Sequence, residues 1–294
     1  MIVVIGEQIV DRVAQPDGSI IDTAGGAPAN VAVALSRLGD DVAMRARLGT
    51  DAHAALLRSR LHDAGVHLDL LVPACGASSS ALARTDTDGR ASYAFSLDGT
   101  VDWQWSDDEL AGTAEAASAL VVGSLAMAMR PGCDAIERMV ATSHRGKTPV
   151  FYDPNLRPSL LHGDERARVE RQVLLADVVK VSDEDLSLTH GGDDPFAVAE
   201  RWSAPGRLVV LTLGERGSIA LRDGAVVAQA DAVRVDVADT IGAGDAFLAG
   251  LVHVLVADPR AVADGLAFAA RVAAICCTHV GAYAPRLDDV LALS

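Results

Sequence analysis

Asp239, Gly242, Gly244 and Asp245 fall within the seven-residue run Asp-Thr-Ile-Gly-Ala-Gly-Asp, and an apolar stretch, Ala246-Phe247-Leu248-Ala249-Gly250-Leu251, follows at once. The two glycines let the backbone turn left-handed or come close to a ligand. Such a turn at a helix start exposes unpaired N–H groups and the positive end of the helix dipole. That terminus is an anion hole, formed here by Gly242, Ala243 and Gly244, and it suits a transferring phosphoryl group. Asp245 lies in the first helical turn beside it. Its carboxylate could accept the proton of a substrate hydroxyl as that oxygen attacks phosphorus. An ordinary helix with an acidic first turn has the same local features, so these residues alone leave both readings open.

Two other phosphate-binding patterns fail. A dinucleotide fingerprint needs a third glycine where Phe247 stands, and too little chain follows for another strand–helix–strand unit. Gly146-Lys147-Thr148 has the ending of a Walker loop, but Ala141 replaces its first glycine and Pro149 with a strand follows. Lys147 reads as a surface loop residue.

The elements that must hold the run are legible in hydrophobic spacing. Residues 3–5, 120–122, 150–152, 178–181 and 208–211 are short apolar runs of the kind buried on both faces. Residues 30–38, 52–64, 133–143, 166–175 and 196–202 fit helical spacing between them, and 243–256 and 261–279 are two closing helices. Such alternation predicts an α/β domain with a mostly parallel sheet covered by helices. Residues 233–237 read as a short strand leading into Asp239. Two stretches break the rhythm. Residues 11–23 are polar with a turn at Pro16-Asp17-Gly18. Residues 78–105 alternate in period two through Ala81, Ala83, Tyr93, Phe95 and Leu97, with a turn at 86–89. These are expected to be strands outside the main sheet, placed to form a lid or standing as ordinary edge strands.

The chain has 294 residues, half of them apolar, and a net charge of −15. It can bury a large core as one domain. An acidic surface repels phosphate backbones and anionic lipid, which excludes nucleic acid and membrane surfaces as partners. Of the four cysteines, Cys75, Cys133, Cys276 and Cys277, no pair has metal or redox spacing, so free thiols in a reducing compartment are expected. The start, Met1-Ile2-Val3-Val4-Ile5-Gly6, reads as a buried strand and not a leader. The longest apolar runs are too short to span a bilayer. The expected location is cytoplasmic.

Gly25-Gly26-Ala27-Pro28-Ala29-Asn30, continuing to Gly39, resembles the N-terminal signature of the ribokinase-like (PfkB) carbohydrate kinases, and residues 239–250 resemble their C-terminal signature. The two lie in the right order near opposite ends of the chain, and the resemblance covers essentially all of it. It implies a three-layer α/β/α ribokinase-like core with a small β-strand lid, as a single domain over residues 1–294, the lid being about 11–24 and 78–105. It implies ATP, Mg²⁺ and K⁺, and transfer of the γ-phosphate to a sugar hydroxyl with Asp245 as the base.

The same resemblance assigns further residues. Asp11, Gly25, Gly26 and Asn30 would bind the sugar; an ionised carboxylate such as Asp11 can accept from two vicinal hydroxyls. Asp153-Pro154-Asn155-Leu156-Arg157 is similar to a segment of fructokinases and 2-keto-3-deoxygluconate kinases, with Arg157 suited to bidentate contact with an anion. Lys180 and Ser182 begin the segment that carries the family's Asn-x-x-Glu motif. Here Ser182 and Asp185 occupy its key positions, so the Mg²⁺-water contact would fall to Asp185 or Glu184. Thr212, Gly214 and Gly217 resemble the nucleotide loop, with Asn155 also on the nucleotide side. Asp239, Ile241 and Gly281 resemble the monovalent-cation site.

Phe95 would cover the sugar as a lid aromatic. An acidic sugar would need a cation in the pocket, and the candidates near the lid, Arg12, Arg84 and Arg90, have no clear match. A neutral hexose is therefore favoured, fructose first, with 2-keto-3-deoxygluconate and ribose as the alternatives. A catalytically silent sugar sensor of the same fold is the non-enzyme alternative. Trp103 and Trp105 are expected to anchor the lid base. The apolar face of residues 93–97 would serve either closure over the sugar or pairing into a homodimer.

Overall fold

Each apolar run at 3–5, 120–122, 150–152, 178–181 and 208–211 becomes a buried strand of one sheet. The computed structural model describes all residues except 15, 16, 18, 86–90, 147, 162 and 294, and the backbone alone at 83–85, 91–93 and 144–146. The sheet order is Ala225–Ala230, Ser218–Arg222, Leu208–Thr212, Val178–Ser182, Val150–Asp153, Ala119–Gly123, Ile2–Ile5, Val42–Arg45. Neighbours from Leu208–Thr212 to Val42–Arg45 run parallel. The hairpin Ser218–Arg222 with Ala225–Ala230 closes one edge antiparallel.

Period two within a doubly covered sheet feeds two cores. In the first strand Ile2 and Val4 join the cluster that includes Leu35, Leu251 and Leu266, while Val3 and Ile5 join that of Ile136, Val179 and Trp202. Helices Ala27–Arg37, Ala243–Ala257 and Val262–Cys277 thus cover one face. Gly132–Gly146, Glu165–Val173 and Pro195–Trp202 cover the other. This is the three-layer arrangement expected of the sequence.

The two interrupting stretches form a separate four-stranded sheet, ordered Ile20–Gly25, Ile9–Ala14, Ser79–Thr85, Ala91–Ser96. It is tied to the core by the buried Asp102, which accepts from the Ser79 N–H at 3.1 Å. Trp103 packs with Leu97, Leu125 and Phe95 at the base of this sheet, whereas Trp105 enters the main core. Of the expected turn at 16–18 only Asp17 is described, its Oδ1 accepting from the Ser19 N–H at 2.9 Å; the turn at 86–89, Arg90 and Lys147 lie outside the described residues.

Residues 233–237 are not the strand that their spacing predicts. The segment is irregular and half-exposed, with Val237 at 61 %. The chain beyond it is held by Ala238 and Asp239 N–H groups on the Cys277 carbonyl, at 2.8 and 3.2 Å, so a helix end and not a sheet edge supports it.

Helices Ala243–Ala257 and Val262–Cys277 meet at Gly250, where a Cβ would lie 2.8 Å from the Ala269 Cα. Gly250→Val should therefore destabilise the fold by about 1–3 kcal/mol despite its better helix propensity. Thermal unfolding followed by circular dichroism checks this; an unchanged midpoint would show that the two helices can part freely.

Candidate active site

The parallel strands end on one side of the sheet, where open α/β folds bind ligands. Asp153, Ser182 and Thr212 are the last residues of their strands, and Ser182 and Thr212 are register partners. The helix Ala243–Ala257 starts at this edge. Gly242 takes φ 78°, and a Cβ there would lie 2.6 Å from the Ala282 Cβ, so the turn requires glycine twice over. Of the three residues expected to form the anion hole, Ala243 already donates to the Thr240 carbonyl at 3.2 Å. Gly244 stands bare beside a cation: a Cβ on it would be 3.2 Å from the Lys180 Nζ.

Asp245 is buried at this terminus, at 7 % exposure. Its Oδ2 accepts from the Asn30 Nδ2 at 2.7 Å, and its Oδ1 from the Asn155 Nδ2 at 3.1 Å. Each amide is itself oriented by a guanidinium. The Arg60 Nη2 donates to the Asn30 Oδ1 at 2.7 Å, and the Arg157 Nη1 donates to the Asn155 Oδ1 and, at 3.1 Å, to its carbonyl. Arginine can only donate, so both amides must turn their NH₂ groups toward Asp245. Asn155 holds this position at φ 42°, a left-handed conformation that asparagine tolerates.

Burial pushes the Asp245 carboxyl up from its ordinary value, opposed by the Asn30 hydrogen bond and by the charges of Arg157, Lys180 and Arg60. Asp11 is also raised by burial, with Arg60 and Arg157 opposing and Asp245 adding to the rise. The missing side chain of Gly25 makes room for it, since a Cβ there would sit 1.9 Å from the Asp11 Oδ2. Gly26 and Asn30 begin the adjoining helix. Lys180 and Asp153 form a buried pair at 2.9 Å. Burial works against the Lys180 ammonium, but Asp153, Asp185 and Asp245 outweigh it and raise its pKa, so the cation persists. Burial pushes Asp153 up to about 6, with Lys180 opposing the rise.

Other expected site residues have different surroundings. Asp185 is buried and occupied: its Oδ1 accepts from the Leu156 N–H at 2.8 Å, and its Oδ2 from the Ser182 N–H and Oγ at 3.1 and 2.6 Å. Asp185 and Ser182 thus cap the helix Asp183–Thr189 and brace the Asn155 loop, while Glu184 is exposed. Among the described residues no group of three or more His, Cys, Asp or Glu side chains could hold a metal ion. Both oxygens of Asp239 accept backbone N–H groups, from Ile241 at 3.0 Å and Gly281 at 2.8 Å, joining the two loops of the expected cation site. Thr212, Gly214 and Gly217 edge the neighbouring strand end, with Gly214 and Gly217 at φ 59° and 83°.

On the small sheet Phe95 packs half-buried against the Leu97, Trp103 and Leu125 cluster. The side chains of Tyr93 and Arg84 lie outside the described residues. Arg12 is paired with Asp22 at 2.9 Å. The cation that sequence reading missed is Arg60, on the helix His53–Ala64. Helical spacing gives neither Arg58 nor Arg60 there a mark beyond that of a solvated face.

A family model described as pfkB family carbohydrate kinase matches residues 1–289. The chain is 31% identical over 299 residues to a fructokinase of Klebsiella pneumoniae, covering 98% of this chain and 97% of that one. A fructokinase structure with bound ATP from Xylella fastidiosa superimposes with a TM-score of 0.91 at 28% identity, over 99% of this chain and 97% of that one. A Vibrio cholerae O395 fructokinase in its fructose-, ADP- and calcium-bound form gives 0.87 at 27% identity, over 99% and 98%.

Asp245→Asn should keep the fold and lower turnover by about 10²–10⁴. Steady-state kinetics beside an unfolding curve checks this, and near-normal turnover would remove Asp245 as the base. A second expectation concerns Glu7, which follows the first strand and accepts from the Ala126 N–H at 3.0 Å. Burial pushes its carboxyl up to about 7 from 4.5. In that window the folded chain keeps a proton that the unfolded chain has lost, so this contribution is full below 4.5 and lost as pH rises through about 7. Glu7→Gln removes the titration. Relative to wild type the variant should gain stability between about pH 5 and 8, by on the order of 3 kcal/mol at most. Denaturant unfolding at both pH values tests it, and a pH-independent difference would contradict it.

Proposed function

The chain belongs to the pfkB family of carbohydrate kinases and is an ATP-dependent sugar kinase, and we propose that its acceptor is D-fructose. One observation carries the mechanism: a buried carboxylate, Asp245, lies at a glycine-opened helix terminus with the Lys180 ammonium beside Gly244. The sugar rests against Asp11, Gly25, Gly26 and Asn30. Asp245 accepts the proton of its reacting hydroxyl, the oxygen bonds to the γ-phosphorus, and the bond to the ADP oxygen breaks. Charge on the equatorial oxygens meets the Gly242–Gly244 turn, Lys180 and Arg157. Thr212, Gly214 and Gly217 line the nucleotide side.

Mg²⁺, when bound with the nucleotide, supplies neutralisation of the phosphate charge. Asp185 and Glu184 belong to the segment it would face. The carbonyls of Ile241 and Gly281, on loops that Asp239 already joins, would hold K⁺ and add positive potential at the same turn. The four-stranded sheet serves as the lid of a single domain, with Phe95 over the sugar. Ile21 on its edge strand and its register partner Val13, exposed at 52 % and 39 %, share a face that a second copy would cover. No helix among the described residues is long and apolar enough to cross a membrane. We place the enzyme in the cytoplasm, where ATP is supplied and its four free thiols stay reduced.

Fructose is favoured over an acidic sugar because fructokinases match over essentially the whole chain and cations already face the carboxylates about Asp245. Coupled ADP release in Mg²⁺ and K⁺ over fructose, tagatose, ribose and 2-keto-3-deoxygluconate tests this. The highest kcat/KM should fall to fructose. Preference for 2-keto-3-deoxygluconate would overturn the substrate, and ADP release independent of every sugar would overturn the reaction.

A further inference from the structure

Arg60 does more than steady Asn30. Its Nη2 is taken by the Asn30 Oδ1, but its Nη1 is buried and has no hydrogen-bond partner among the described residues. A buried guanidinium N–H left unpaired is costly, by about 1–3 kcal/mol or more for a charged group. The protein groups whose charges reach this guanidinium are Asp11 and Asp245, with Arg37 opposing. Asp11 and Asp245 are also the two carboxylates assigned to the sugar side. The idle donor is thus held, through Asn30, beside the carboxylates of the proposed sugar site.

We propose that Arg60 is a specificity residue of the sugar site, donating from Nη1 to a hydroxyl oxygen of a neutral sugar while Nη2 keeps the Asn30 amide turned to Asp245. This rests on the sugar-kinase reading above. Neutrality follows from the local balance of charge. Two carboxylates, Asp11 and Asp245, face two guanidiniums, Arg60 and Arg157, each felt by both carboxylates, and the third cation at Asp245, Lys180, is paired with Asp153. A neutral polyol leaves that balance intact. A sugar acid would add a negative charge beside the two carboxylates, which is unfavourable in a buried site.

Two variants separate binding from structure. Arg60→Met keeps the length of the stem and loses every donor. Arg60→Lys keeps the charge and can make only part of the contact. With D-fructose as the probe, Arg60→Met should raise the fructose KM by roughly 10- to 100-fold. The ATP KM should stay near the wild-type value. Arg60→Lys should fall between. Arg60→Met also leaves the buried Asp11 and Asp245 less compensated, so its melting midpoint should fall, and that of Arg60→Lys should fall less. A fructose KM unmoved in Arg60→Met would overturn the proposal and leave the fructose reading standing. Fructose and ATP KM rising together by similar factors would reduce Arg60 to a structural role. Wild-type enzyme that prefers 2-keto-3-deoxygluconate to fructose would overturn both the neutral-sugar inference and the substrate reading.

Discussion

An ionised carboxylate must be kept out of water yet ready to take a proton, and the site is organised around that constraint. Burial alone would neutralise Asp245. Two amide donors and three nearby cations, Arg157, Lys180 and Arg60, oppose it, although burial still holds the carboxyl above its ordinary value. Neither amide is free to rotate, because a guanidinium holds the oxygen end of each. The result is preorganisation: the dipoles face Asp245 before substrate arrives, so little reorganisation remains for the reaction step.

The fold supplies this arrangement from separate parts of the chain. Asp245 comes from the start of a C-terminal helix, Asn30 from the first helix, Arg60 from the second, and Asn155 with Arg157 from the loop after a central strand. Parallel strands make that convergence possible, since all of them end on one side. The supporting contacts are also built in. Asp185 fixes the backbone of Leu156 next to Asn155, and Asp239 joins the Ile241 and Gly281 loops behind the phosphate turn. These carboxylates act through backbone N–H groups, which places the loops and not the ligands.

Much of this was legible in the sequence wherever chemistry is written locally. The glycine turn ending in Asp245, the Gly25–Gly26 pair with Asn30, and the five buried strands all rest on short-range patterns. Contacts between distant segments were not legible. Asn155 was expected on the nucleotide side, yet its amide donates to Asp245. Asp185 was expected near a metal, yet its oxygens are committed to Leu156 and Ser182. Arg60 gave no signal because its partner lies thirty positions earlier in sequence. The hairpin after residue 217 did carry one. Asp223-Gly224, at φ 53° and 75°, is the turn pair that favours a tight hairpin, but the flanking strands are too rich in alanine to alternate clearly. Residues 233–237 show the converse: apolar spacing with no partner strand, left at the surface.

The central claim is that the carboxylate held by the two amides is the group whose ionisation sets the rate. The pH dependence of kcat/KM for fructose, in wild type and in Asn30→Ala, tests it most directly. Removing the Asn30 donor withdraws stabilisation from the charged form of Asp245, so the acidic limb of the variant's profile should shift to higher pH. An acidic limb at the same pH in both proteins would contradict the account.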